Sequence, residues 1–249
     1  MRPRIIKNLF DNQFVNYMMK SFPEIKPGIN DDYFTGIFGN FHLENEYFLN
    51  NILNNKVLSL VSGILGSEFY LWRTKFFILK PGQKGQNYHQ DIWPWWNIWP
   101  EKNDYKIDYN KQDVLSIWVP LIHSNKKNAG IHYLDRDLAL PLESGLLNNE
   151  SFQISVDQES ICPEMLAGDG FLFDEFTLHG PGLNISRGNK CAFVFRFVNS
   201  RLKEINRDDI TISISKQANN TFLIGTKIEH KQKLNIKKKS FMQRLKDFF

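Results

Sequence analysis

The chain has 249 residues, 42% of them hydrophobic, which suffices to bury a sizeable core in one β-rich domain. Two cysteines, Cys162 and Cys191, exclude a disulfide framework, and the sequence holds no run of about 18 apolar residues that would span a membrane. The net charge of +4 is uneven: from Thr226 onward eight Lys and Arg face two acidic residues, so the rest of the chain is slightly acidic and no nucleic-acid partner is expected.

The start, Met1 to Asp11, lacks the apolar stretch of a signal peptide, and with the sparse cysteines this leads to the expectation of a cytoplasmic protein. Asp11 can cap a helix carrying Phe14, Val15, Met18, Met19 and Phe22 at helical spacing, stopped by Pro23. Residues 24–43 read as loop. Glu44 to Leu65 reads as one or two helices whose buried stripe is Phe48, Ile52, Val57, Leu60, Val61 and Ile64. Strand-like runs follow near 69–80, 86–92, 114–122, 129–134, 152–156, 170–177, 190–199, 210–215 and 221–225. Short strands after a helical start predict a mainly β fold with N-terminal helices packed against a two-sheet barrel.

His89-Gln90-Asp91 lies in this strand region, and His179 follows the apolar run Phe171 to Phe176. On a strand, residues i and i+2 face the same side, so His89 and Asp91 converge and Gln90 points away. Two histidines and a carboxylate can occupy one face of an Fe(II) octahedron and leave the opposite face open for a co-substrate and O₂. The tripeptide alone also occurs as a surface histidine beside an aspartate. Its surroundings decide between the two.

Those surroundings are Leu60 to Gly66, a helix closed by glycine; Tyr70 to Gly82, a strand; His89-Gln90-Asp91 with its aromatic tail; Val114 to Leu121; Asn128 to Leu134; and Gly168-Asp169 to His179-Gly180, with Asn184 and Ser186 beyond. Over roughly residues 5 to 200 this order resembles the phytanoyl-CoA dioxygenase family of Fe(II)/2-oxoglutarate oxygenases. The resemblance implies a double-stranded β-helix, a jelly roll, in a single domain over 1–225, with His89, Asp91 and His179 as both the metal ligands and the catalytic centre. It implies Fe(II), 2-oxoglutarate and O₂ as the reacting set, with ascorbate as an accessory reductant.

In that family the far carboxylate of 2-oxoglutarate meets a cation on the strand after the distal histidine. The family's arginine, eleven positions on, is replaced here by Lys190. Lysine neutralises a carboxylate as a point charge, without arginine's two-pronged fork. Arg196 is the competitor, because 190, 192, 194 and 196 share a strand face. Phe76 and Trp118 match further 2-oxoglutarate contacts, and both would equally serve as core. Pro181 stands where many relatives carry a contacting serine.

Ile92 to Pro100 holds four of the six tryptophans. Trp93, Trp95 and Trp96 are candidates for walling the entrance of an apolar or aromatic small-molecule substrate, against the plainer reading of a loop folded on the barrel. Residues 226–249 form a basic tail ending in the amphipathic stretch Phe241 to Phe249, read either as a contact for a membrane surface or as a solvated or back-packed terminus.

The activity expected is hydroxylation of a small molecule with release of succinate and CO₂. Asp91 argues against halogenation, which needs that ligand position vacant. Desaturation, epimerisation or cyclisation at the same iron site, and a non-catalytic binding barrel with a vestigial metal site, are the rival readings.

Overall fold

Short polar side chains start the helices. Asp11 Oδ1 accepts from Phe14 N at 2.8 Å, Asn45 Oδ1 from Phe48 N at 2.8 Å, and Asn54 Oδ1 from Val57 N at 2.9 Å. They open α1 (Asn12–Ser21), α2 (Glu46–Ile52) and α3 (Asn55–Leu65), so the 44–65 segment is two helices. Gly66 ends α3 with φ +92°, a backbone region that glycine enters without a Cβ clash. The computed structural model describes residues 1–21, 41–43, 45–91, 112–135, 142, 144–200 and 212–225. Trp93, Trp95, Trp96 and the tail lie outside the described residues, and among those described no helix is long and apolar enough to cross a membrane.

The strands are β1 (Arg4–Ile6), β2 (Glu68–Leu79), β3 (Val114–Pro120), β4 (Ile131–Tyr133), β5 (Gly170–Asp174), β6 (His179–Pro181), β7 (Lys190–Asn199), β8 (Ile212–Lys216) and β9 (Phe222–Ile224). Seven form an antiparallel sheet in the order β1-β5-β3-β7-β2-β8-β9, and β4 pairs with β6 in a second, smaller sheet. This is the mainly β, helix-fronted jelly roll that the sequence leads one to expect.

Alternation along the central strands separates two interiors. Cys191, Phe193, Phe195 and Phe197 of β7, with Leu115, Ile117 and Val119 of β3, pack against α1, α2 and α3. The aromatic heart of that layer is Phe14, Phe48, Phe76 and Phe193, with Phe48 and Phe193 centroids 5.5 Å apart. The opposite face carries Trp118, Phe171, Phe173, Ala192 and Val194 toward Ile131 of the small sheet. After the short helix α4 (Ser144–Leu147), Val156 of α5 (Glu150–Glu159) backs the small sheet in turn against Tyr88, Leu134 and Leu178.

β2 breaks its own alternation. Leu71 pairs with Phe197 but Arg73 pairs with Arg196, so Trp72 is an extra residue, a β-bulge. Before it Phe69 and Leu71 face the helices; after it Phe76 and Ile78 do. The bulge exchanges odd for even positions and turns Arg73, Lys75, Phe77 and Leu79 toward the interior between the sheets.

Two sequence expectations are corrected. Residues 152–156 are helical, part of α5: Asn149 Oδ1 caps Phe152 N at 3.0 Å, and the buried positions are Gln153 and Val156, three apart. The alternating Phe152, Ile154 and Val156 imitate a strand, but Ile154 is exposed. Of the expected strand at 86–92, the described residues 86–91 contribute only one isolated bridge, His89 to His179. The short β1, paired with β5, went unread because three residues carry too little periodicity.

Candidate metal centre

His89 and His179 are brought face to face by the backbone. His89 N donates to His179 O at 2.9 Å and His179 N to His89 O at 3.0 Å. Directly opposed residues in an antiparallel pair project to the same side, and the two rings lie 4.4 Å apart between centroids. Gly180 lets the chains close up here, since a Cβ on it would sit 3.2 Å from the Tyr88 Cα.

Each ring is fixed in the same way. His89 Nδ1 donates to Asn87 O at 2.8 Å, and His179 Nδ1 donates to Thr177 O at 2.9 Å. A carbonyl only accepts, so both Nδ1 atoms carry the proton and both Nε2 lone pairs are free to ligate. Desolvation, then the neighbouring His179, lowers the His89 pKa to about 3; burial also lowers that of His179. Both rings are therefore neutral, the form that binds a metal.

Asp91 completes the set, fully buried. One ligand atom from each of the three residues lies within 4.8 Å of the others. Oδ2 is saturated: it accepts from Ser116 Oγ at 2.7 Å and from Arg196 Nε at 2.9 Å. Oδ1, which accepts the longer 3.2 Å bond from Arg196 Nη2, lies 4.0 Å from His179 Nε2 and is the oxygen on the metal side. Burial alone would raise the Asp91 pKa, but the Arg196 guanidinium, by its charge and its hydrogen bonds, outweighs it and holds the carboxyl well below its usual range. Two neutral imidazoles and an anionic carboxylate on one side of an opening suit a divalent ion that keeps further positions for other ligands.

His89 and His179, with the Arg196 that holds Asp91, line a cavity of about 300 Å³ between the sheets, at the lower end of the range for small-molecule sites. Lys190, Ala192, Val194 and Arg196 all line it, as do Trp118 and Phe173. The Lys190 side chain is buried, its Nζ has no hydrogen-bond partner, and it rests over the Trp118 ring at 4.9 Å. Burial pushes its ammonium down to about 7. A buried ammonium with no hydrogen-bond partner, lining such a cavity, can receive an anion.

Of the residues singled out from sequence, His89, Asp91, His179, Lys190, Trp118 and Arg196 are brought to this site. Phe76 is not: the Trp72 bulge sends it into the helix-facing core, and Phe77 lines the cavity in its place. Arg196 is spent on Asp91. Pro181 forms part of the wall. Sequence reasoning missed Ser116, Arg73 and Lys75. The last two had left a signal, two cations spaced i, i+2 in an otherwise apolar strand.

No protein-family model matches the chain. No curated protein matches it either. Solved structures do. EctD from S. alaskensis with bound Fe is 16% identical, with a TM-score of 0.61 over 80% of this chain and 73% of that one. HygX from Streptomyces hygroscopicus with nickel and 2-oxoglutarate is 13% identical, with a TM-score of 0.59 over 80% and 83%. The non-heme α-ketoglutarate-dependent epimerase SnoN from nogalamycin biosynthesis is 12% identical, with a TM-score of 0.58 over 86% and 81%. The chain thus has the fold of these iron- and 2-oxoglutarate-type enzymes, a mainly β jelly roll.

Proposed function

We propose that this protein is an Fe(II)- and 2-oxoglutarate-dependent oxygenase that hydroxylates a small molecule, akin to the phytanoyl-CoA dioxygenase-like enzymes whose motif order it resembles. The observation that carries the reading is the pair of histidines whose Nδ1 atoms are tied to carbonyls two residues back, so that both Nε2 atoms and Asp91 Oδ1 converge beside a cavity. When bound, iron and 2-oxoglutarate supply the oxidative chemistry with O₂, and the products are succinate and CO₂.

The chain's own residues do the positioning. Ser116 and Arg196 hold Asp91 Oδ2 away, so the carboxylate offers one oxygen. Lys190 receives the far carboxylate of 2-oxoglutarate, and Trp118 beneath it fixes the ammonium's height. Phe77, Phe173, Ile131 and Val194 form an apolar part of the wall and limit water there. In the sequence, Trp93, Trp95 and Trp96 follow directly after Asp91, and we assign them to the substrate entrance.

The test is succinate formation from 2-oxoglutarate by the iron-loaded protein with ascorbate, over a panel of small molecules, with products read by mass spectrometry for one added oxygen. Absence of both metal binding and succinate formation in the folded protein would overturn the assignment.

A further inference from the structure

Residues 86–91 carry two of the three proposed ligands, yet among them only His89 pairs with a neighbouring strand. The residue before it, Tyr88, is held by a side chain from helix α5 instead. Gln153 Oε1 accepts from Tyr88 N at 2.7 Å, and Gln153 Nε2 donates to Tyr88 O at 3.0 Å. Nε2 also donates to Leu147 O at 2.7 Å, which ties the same carboxamide to the end of α4. Gln153 is buried. One side-chain amide thus takes the part that a residue of an adjacent antiparallel strand would play, exchanging an N–H and a C=O with a single partner.

The two bonds bear on His89 because a peptide group is planar, with its C=O and N–H pointing in opposite directions when trans. Tyr88 N shares its plane with Asn87 O, which accepts from His89 Nδ1 at 2.8 Å. Tyr88 O shares the next plane with His89 N, which donates to His179 O at 2.9 Å. Each plane is therefore gripped from both sides. The first lies between Gln153 Oε1 and the His89 ring, and the second between Gln153 Nε2 and His179. Rotation of the first plane would carry Asn87 O away from Nδ1. The ring could then turn and take the other tautomer, in which Nε2 holds the proton and cannot ligate. The Tyr88 side chain is anchored to the same helix: its hydroxyl donates to Asp157 Oδ1 at 2.8 Å and meets Ser160 Oγ at 2.9 Å, and its ring packs in a cluster with Val156.

We infer that Gln153 is a positioning residue for the metal centre: by fixing the two peptides that flank Tyr88, it keeps the His89 Nδ1 proton on Asn87 O and the Nε2 lone pair aimed at the ion. The inference rests on the proposed function, because it takes His89 as a ligand. It extends the site to a helix that supplies no ligand and no residue among those lining the cavity. The carboxamide is the group the task requires, since it offers an acceptor and two donors on one plane. Without it, a buried N–H and a buried C=O beside the ligand lose their partners together.

The test uses the full-length protein, with nickel affinity from calorimetry, melts of the metal-free form, and nitrogen NMR of isotope-labelled histidine rings to read each tautomer. In the metal-free wild type, His89 and His179 should both carry the proton on Nδ1. Gln153→Met should weaken nickel binding roughly 10- to 100-fold and give His89 mixed tautomers, while His179 keeps its Nδ1 proton. Gln153→Asn, one methylene too short to reach, should do the same and serves if the Met variant does not fold. Gln153→Glu keeps an acceptor for Tyr88 N and should restore the Nδ1 proton of His89. Val156→Ala removes packing from the same helix without touching the clamp; it should lower the melting temperature and leave nickel affinity and both tautomers unchanged. The inference is overturned if the Met and Asn variants bind nickel as the wild type does, or if His89 has the same tautomer in them as in the wild type. It is equally overturned if the Glu variant is as mixed as the Met variant, or if Val156→Ala loses as much nickel affinity, which would make α5 a general support. Failure of the wild type to bind nickel would instead strike at the proposed function.

Discussion

Arg196 and Asp91, 105 positions apart in sequence, form a buried two-pronged ion pair, with Nε on Oδ2 at 2.9 Å and Nη2 on Oδ1 at 3.2 Å. A metal-binding carboxylate tied in this way is aimed before any ion arrives. Removing the guanidinium leaves a buried carboxylate with only Ser116. Arg196→Gln should therefore cost on the order of 3–5 kcal/mol in chemical denaturation and weaken nickel or iron binding roughly 10- to 100-fold. Arg196→Lys should recover part of the stability and little of the aim, because one ammonium cannot reproduce both prongs. Equal metal affinity in all three proteins would show that the pair is structural only.

The three ligands should separate metal binding from folding. His89→Ala, Asp91→Ala and His179→Ala are each expected to lose iron and turnover. Asp91→Ala also strands Arg196 in the interior, so its apo form should melt below the wild type. His89 is only half-buried, and His89→Ala should melt close to the wild type without metal. Metal analysis and thermal melts on the same preparations check both halves.

Lys190 gives a pH signature. Its folded pKa is near 7, against 10.5 unfolded. Between those values the unfolded chain holds a proton that the folded chain has released, so this group makes the ligand-free protein more stable as pH rises from about 7 toward 10.5. Lys190→Met should remove that slope, seen as the wild-type-minus-variant difference in denaturation. Bound 2-oxoglutarate restores the ammonium, so above pH 7 binding should take up a proton and its affinity should fall by up to about tenfold per pH unit. Calorimetry in two buffers of different ionisation heat measures the uptake.

Glu175 has the opposite sign. Desolvation lifts its pKa from 4.5 to about 8; Oε1 accepts from Asp113 N at 2.8 Å and Oε2 is buried without a partner. Its contribution is fully present below pH 4.5 and is lost as pH rises to about 8. Glu175→Gln should be neutral near pH 4 and stabilising at pH 8, at about 1.4 kcal/mol for each unit by which the folded pKa is raised. A pH-independent difference would show that folding does not shift the pKa of this carboxyl.

Phe76 and Phe77 are neighbours with opposite assignments. Phe76→Ala should cost about 3–5 kcal/mol, with the milder Phe76→Leu leaving metal and 2-oxoglutarate affinity intact. Phe77→Ala should cost much less in stability and alter ligand binding. The reverse result would place the break in strand alternation elsewhere on β2.

What the sequence made legible was local. His89, Asp91 and His179 could be singled out because the blocks around them resemble those of a known family in their order, and Lys190 because that resemblance implies a cation eleven positions beyond His179. The cap at Asp11 and the helix end at Gly66 were equally local. Phe76 was misplaced because nothing in Phe69 to Leu79 announces that Trp72 is an extra residue. The strand expected at 152–156 failed because three apolar residues two apart outweighed the Asn149 cap. The work done by Arg196 depends on a contact across 105 residues, which no window of sequence contains.

The extra residue at Trp72 acts on the whole second half of its strand as a change of parity. A relative without it, aligned position by position, would match its own core residues to Arg73, Lys75 and Phe77, and its binding residues to Phe76 and Ile78. The chemical character of this cavity is thus set by an insertion as much as by the side chains, and any transfer of binding residues between such proteins must first count residues through the bulge.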